Sequence, residues 1–247
     1  MKHKILNSNA IKLIAIIAMT IDHITWKIHG SKNFPVELLP LILHLIGRLT
    51  CPIMCFFVAE GYYRTSNIKK YILRMFAFAF VSHFVYMYTW NGYAGIGSLM
   101  PFASGEILNQ TSVMWPLAWG LVSLHVANNK KLKLGVKVLL IALIVLVTFP
   151  SDWSCIAMLA ILAMGLNRGR FARQMFWLQG LVLIYSVCYF FLMNRVYGML
   201  QMGTLLAIPI LWMYNGQRGN NLVINKIAKW LFYIYYPFHL IIIAFLL

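Results

Sequence analysis

Apolar runs of roughly 16–22 residues recur from Ile11 almost to the C-terminus, and they constrain this chain more than any motif in it. Hydrophobic residues make up 62% of the sequence and the mean hydropathy is +0.76. No water reaches the bilayer core, so backbone groups there must pair internally, in helices or closed barrels. A barrel strand needs only about 9–11 residues, whereas a spanning helix needs about 20. The pattern predicts an all-α, polytopic transmembrane helical bundle. No segment is long and polar enough to fold as a separate soluble module, so residues 1–247 form a single domain.

About nine spans are expected, at 10–28, 38–63, 70–90, 111–127, 134–149, 153–166, 174–193, 198–214 and 229–247. The fifth and sixth are short, separated only by Pro150-Ser151-Asp152, and are either tilted or partly re-entrant. The Lys and Arg residues alternate sharply between the loops. One face takes Lys2, Lys4 and Lys12, then Arg64, Lys69, Lys70 and Arg74, then Lys130, Lys131, Lys133 and Lys137, then Arg168, Arg170 and Arg173, then Arg218, Lys226 and Lys229. The other face takes only Lys27, Lys32 and Arg195, and Arg48 falls within a span. By the positive-inside rule the N-terminus is cytoplasmic and the C-terminus outside, in a multi-pass protein of the cytoplasmic (inner) membrane. The net charge of +16 therefore reads as a membrane-facing asymmetry and not as a nucleic-acid surface. A basic cytoplasmic face attracts anionic membrane lipids and phosphorylated ligands. Met1-Lys2-His3-Lys4 resembles a signal-peptide start, but Lys12, Asp22 and His23 interrupt the run that follows, so a retained first span is expected.

Only five of the 247 residues are acidic, and two of them, Asp22 and Glu60, lie inside expected spans. A charge at bilayer depth costs about 2.5–3.5 kcal/mol on insertion scales, so such residues face an interior and tend to be functional. Lys12 and His23 are eleven positions apart. On an α-helix that spacing returns to within about 20° of the same face and rises roughly 16 Å. One stripe of the first helix then carries a cation near the cytoplasmic rim and an imidazole inside the membrane. A long phosphorylated thioester suits such a polar track. Asp22 is adjacent to His23 and does not share its face, so it is expected to reach another group, such as Arg48. That pair has a purely structural reading as well, neutralising two buried charges. His44 and Arg48 share a face at i, i+4, as do Glu60 and Arg64, and Pro52 is placed to kink the second span. His83, His125 and His239 stand alone and read as hydrogen-bonded core.

The four cysteines fall within spans; Cys51 and Cys55 share a face but no second ligand pair accompanies them, so no metal is expected. Phosphate-cradling glycine loops and nucleophile elbows are absent from the sequence. The external loop 91–110 is long and carries Glu106 as its one charge; it reads equally as a lid, an acceptor surface or a connector.

The stretch from Ile11 to Ile24 (IKLIAIIAMTIDHI) resembles the opening of the TraX family. The likeness continues through Ile46-Gly47-Arg48-Leu49-Thr50-Cys51-Pro52-Ile53, through Phe56-Phe57-Val58-Ala59-Glu60-Gly61-Tyr62, and through Lys69-Lys70-Tyr71-Ile72-Leu73-Arg74. It returns at the tail, Tyr235-Tyr236-Pro237-Phe238-His239-Leu240. The family's known member type acetylates the N-terminal amine of conjugative pilin. The same segments are similar, more loosely, to the acyltransferase-three membrane proteins. Their first helix has Arg or Lys, ten residues, then His, which Lys12 and His23 match. Glu60 stands where those proteins have a serine.

The resemblance and the buried polar residues together imply an acetyl-CoA-dependent membrane acyltransferase with an amine or hydroxyl acceptor at the outer face. His23, Asp22 and Arg48 are the catalytic candidates. Lys12, Arg74 and Glu60 are assigned to the acetyl-CoA site. The alternatives are a transporter or proton-coupled permease using the same Asp, His, Arg and Glu residues as a relay, and a non-catalytic assembly factor. Two related halves with matched helix breaks, the usual mark of a transporter, are not discernible.

Overall fold

The structure is a computed structural model and describes residues 4–29, 37–103 and 105–246. Lys2 and Lys32, two of the charges used to assign the faces, lie outside the described residues, as does Ser104 in the long loop. The described chain is helical throughout, apart from loops and one isolated β-bridge between Leu6 and Tyr214. In order, the helices are α1 (Ser8–His29), α2 (Leu38–Gly47), α3 (Thr50–Arg64), α4 (Ile68–Asn91), α5 (Met114–Asn128), α6 (Leu134–Thr148), α7 (Ser154–Leu166), α8 (Phe171–Leu192), α9 (Arg195–Gln201), α10 (Ala207–Trp212) and α11 (Leu222–Leu246).

The expected second span divides into α2 and α3 at Arg48–Leu49. Pro52 accounts for the position of the break. It has no N–H to donate to the Arg48 carbonyl four residues back, and its ring crowds that carbonyl. Taken across this turn, Leu38–Arg64 is one of four stretches long and apolar enough to cross a membrane; the others are Ile68–Asn91, Phe171–Leu192 and Leu222–Leu246. The remaining expected spans depart from that standard for separate reasons. Helix α1 carries Lys12, Asp22 and Lys27. Helices α5, α6 and α7 have 15, 15 and 13 residues. They rise only about 20–23 Å, short of the ~30 Å hydrocarbon core. The expected span 198–214 is three short pieces: α9, a 3-10 turn at Met202–Leu206, and α10. Pro209 sits inside the last piece and removes a backbone donor there.

In lipid, helices gain little from burying apolar surface against each other, so close packing must hold the bundle. Helix α3 lies at its centre, against α1, α5 and α7, while α4 and α11 pack together and close the far side of α1 and α5. Gly120 lets α7 approach α5, because a Cβ at that position would collide with Ile161. The two ends of the bundle differ in charge. At one end the Leu6–Ser8 backbone pairs with residues 213–217, and Ser8, Lys12, Arg64, Lys70, Arg74, Arg218 and Lys229 line a single cavity. At the other end lie Asn91, the 91–110 loop, the α6–α7 turn and Asn194.

Candidate functional site

Two cavities meet inside the bundle. The first, about 430 Å³, is lined by Asp22, His23, Arg48, Cys51, Glu106, Asp152 and a set of aromatic rings that includes Trp26, Trp90, Trp153 and Tyr236. The second, also about 430 Å³, is lined by Lys12 and the basic residues of the opposite end. Met54, Met114, Leu117 and Phe232 line both. They form an apolar septum where the sequence suggested a continuous polar track. Lys12 stands against it, its Nζ 5.0 Å from the Phe232 ring and 5.2 Å from the Phe57 ring. Lys12 and His23 therefore do lie along one helix, but in adjoining chambers.

In the first cavity Asp22 turns away from His23. Its Oδ2 accepts from Arg48 Nη2 at 2.7 Å, and its Oδ1 accepts from His44 Nδ1 at 2.7 Å. The three side chains are all buried. Gly47 makes this seat possible: a Cβ there would collide with the Asp22 side chain, so any larger residue would push α2 off α1. Arg48 is further held by Gln201 at 3.4 Å and Tyr197 at 3.5 Å, both long for hydrogen bonds, and lies over the Trp153 and Tyr197 rings. Arg48 Nε has no hydrogen-bond partner among the described residues.

His23 is half-buried in the cavity wall, and its Nδ1 meets His239 Nε2 at 2.8 Å. His239 Nδ1 in turn donates to the Tyr235 carbonyl at 2.9 Å. Trp90 and Tyr236 meet the His23 ring edge-on at 5.8 and 6.4 Å. His239 is buried and hydrogen-bonded, as a core histidine should be, but it does not stand alone: α11 brings it to His23 on α1 across 216 positions of sequence. His83 is likewise engaged, meeting the Leu99 carbonyl at 3.0 Å and so tethering the long loop. That loop is pinned again by buried Gln110, which bonds Phe102, Glu106 and Leu108.

Asp152 is the cavity residue that sequence reasoning passed over. It sits in the turn between α6 and α7, where burial pushes its carboxyl up to about 6 while the Arg48 guanidinium acts against the rise. The next two residues, Trp153 and Ser154, have left-handed φ of 61° and 49°. Such angles are strained in non-glycine residues and persist only where surroundings enforce them. Here Asp152 N–H donates to the Thr111 carbonyl at 2.9 Å and Ser154 Oγ to the Phe149 carbonyl at 2.8 Å. The turn is thereby fixed with Trp153 packed over Arg48.

The second cavity gathers Lys12, Arg64, Lys70, Arg74, Arg218 and Lys229, with no carboxylate among the described residues of its lining. Among the described residues, of these six only Arg64 forms an ion pair. Arg74 is packed between Tyr71 and Tyr233, at 5.2 and 5.1 Å, and its buried Nε has no partner among the described residues. A phosphorylated anion fits this donor set. Glu60 does not belong to it. Its carboxylate is held by Arg64 at 3.1 Å and by Arg168 at 3.1 Å, in a separate cavity beside α8. The expected Glu60–Arg64 pair is present, but the placement of Glu60 with Lys12 and Arg74 is not: Glu60 and Lys12 look into different clefts, with Arg64 between. No group of three or more metal-ligating side chains occurs among the described residues.

Comparison with known proteins gives one family and one relative. The family model described as TraX protein matches residues 7–247. A protein of Dichelobacter nodosus described as "Probable fimbrial assembly protein FimC, serogroup H1" is 27% identical over 241 residues, covering 95% of this chain and 93% of its own length. No solved structure matches.

Proposed function

The chain belongs to the TraX family, and from that premise we propose that it is a membrane-bound acetyltransferase. It takes the acetyl group of cytoplasmic acetyl-CoA and delivers it to an amine or hydroxyl acceptor at the outer face of the inner membrane. The observation that carries this reading is the back-to-back arrangement of a cavity whose charged lining residues are all basic and a histidine cavity, with apolar residues shared between them. In this reading the N-terminus is cytoplasmic, the shorter helices cross a locally thinned or tilted path to complete nine spans, and the basic cavity opens to the cytosol.

The residues divide the work. Lys12, Arg74, Lys70 and Arg218 hold the phosphates, with the unpartnered Arg74 Nε–H as a donor for one of them. The septum residues Met54, Met114, Leu117 and Phe232 yield to admit the narrow acyl-bearing arm, and exclude water when closed. Acetyl-CoA supplies an activated acetyl carbon, whose bond to sulfur breaks as the bond to the acceptor forms. His23 takes the acceptor's proton and returns it to the departing thiolate, a role worth about 10²–10⁴-fold. Arg48, held by Asp22, which His44 in turn orients, fixes the cavity wall and offers positive charge near the developing oxyanion. The family's association with pilin and the fimbrial description of the FimC relative support a surface-fibre subunit as acceptor, with the pilin N-terminus as the nearest analogy.

Mass spectrometry of envelope molecules from cells with and without this chain tests the reading. An acetyl mass that is lost with the gene and not restored by His23→Ala supports it. Equal acetylation in all three strains, or solute uptake into vesicles without acetyl transfer, contradicts it.

A further inference from the structure

We propose that His239 is a positioning residue that fixes the tautomer of His23, so that the nitrogen presented to the reacting groups is Nε2, unprotonated. This rests on the acyltransferase reading for its catalytic consequence, but the tautomer itself does not. The argument uses only donors and acceptors. A backbone carbonyl accepts and never donates, so His239 Nδ1 carries the hydrogen in its 2.9 Å contact with Tyr235 O. In a neutral His239 the other nitrogen, Nε2, then holds a lone pair. The 2.8 Å contact to His23 is satisfied only if His23 Nδ1 is the donor. Neutral His23 therefore carries its hydrogen on Nδ1 and a lone pair on Nε2. The geometry agrees: the rings are nearly parallel, at 6°, with centroids 5.0 Å apart and nitrogens at hydrogen-bonding distance, which suits two imidazoles joined end to end.

The pair also has a consequence during turnover. When His23 Nε2 accepts the acceptor's proton, the ring becomes an imidazolium whose Nδ1–H still points at the His239 lone pair. His239 then shares the new charge, and the proton on Nε2 remains the one delivered to the thiolate. Without an acceptor at position 239 a buried Nδ1–H would go unsatisfied, and the ring would favour the opposite tautomer, with Nε2 protonated and useless as a base. The expected loss is about 10- to 100-fold in kcat, with KM for acetyl-CoA unchanged.

The test is ¹⁵N NMR of imidazole-labelled protein in detergent micelles, with the His23 signals identified by their loss in His23→Gln. The inference expects the Nδ1–H, Nε2-bare pattern in the wild type and in His239→Gln, whose side-chain oxygen can accept in place of Nε2. It expects a shift toward Nε2–H in His239→Met, with the fall in kcat restored in His239→Gln. An Nε2–H tautomer at His23 in the wild type, its signals assigned through the His23→Gln spectrum, overturns the inference. An unchanged His23 pattern in folded His239→Met overturns it too. A wild-type protein with the expected tautomer but no acetyl transfer leaves the positioning intact and sinks the acyltransferase reading alone.

Discussion

Removing either member of the Asp22–Arg48 pair should cost far more than removing both. Asp22 accepts two charge-assisted hydrogen bonds, each of 2.7 Å, from Arg48 and His44. The three side chains are 9%, 5% and 1% exposed, so solvent does little to screen the charges. Asp22→Asn replaces the salt-bridge partner of the buried Arg48 guanidinium with a neutral amide, leaving beside it only the long contacts to Gln201 and Tyr197 and the Trp153 and Tyr197 rings, and breaking a buried pair in this way costs about 3–5 kcal/mol. Arg48→Met leaves Asp22 with His44 still in place, and should fall nearer 3 kcal/mol. The double variant strands no charge and should lose about 1 kcal/mol, so the coupling is about 5 kcal/mol or more. Reversible chemical unfolding in detergent micelles measures all four corners of the cycle. Costs that simply add, within about 0.5 kcal/mol, would refute the claim that these residues neutralise each other.

Three further outcomes follow from the cavities. Asp152→Asn should stabilise the protein above pH 6 by up to about 3 kcal/mol, because a folded-state value of about 6 against the usual 3.8 penalises the charged form. The folded state binds the extra proton between pH 4 and 6, so wild-type stability declines through that window and the advantage of the variant vanishes below it; unfolding midpoints at pH 4 and 7 that differ from wild type by the same amount count against it. Lys12→Gln and Arg74→Gln should each raise KM for acetyl-CoA by about tenfold, whereas Glu60→Gln should leave it within about twofold, and steady-state kinetics in nanodiscs reads the difference. Phe232→Ala should open the septum, so that Cys51 in the histidine cavity reacts with a small thiol reagent supplied from the basic side; labelling as slow as wild type would mean that Phe232 does not close the passage.

The helices were legible because long apolar runs admit few alternatives in lipid, and the Asp22–Arg48 contact because neighbours on a helix cannot face each other. The break at Arg48 was legible from Pro52. What escaped was whatever depends on distant helices meeting. His239 shares no periodicity with His23, and the only signal was that its tail, Tyr235-Tyr236-Pro237-Phe238-His239, resembles the family's. Asp152 escaped because it lies in a turn between two short helices and reaches the cavity through a strained backbone, which local propensity does not reveal. Glu60 misled because i, i+4 spacing predicts its bond to Arg64 but not which cleft the pair faces. The septum escaped because Met54 and Phe232 look like any other apolar residues in a span.

The most direct measurement delivers acetyl-labelled CoA to one side of sealed vesicles. The purified protein is oriented in them with its basic end toward that side, and fibre subunits are supplied on the other. Label should appear on the subunits with the wild-type protein and fall by about 10²-fold or more with His23→Gln, while CoA stays on the side where it was added. Label that crosses as intact acetyl-CoA, or transfer undiminished in a folded His23→Gln protein, would contradict the account.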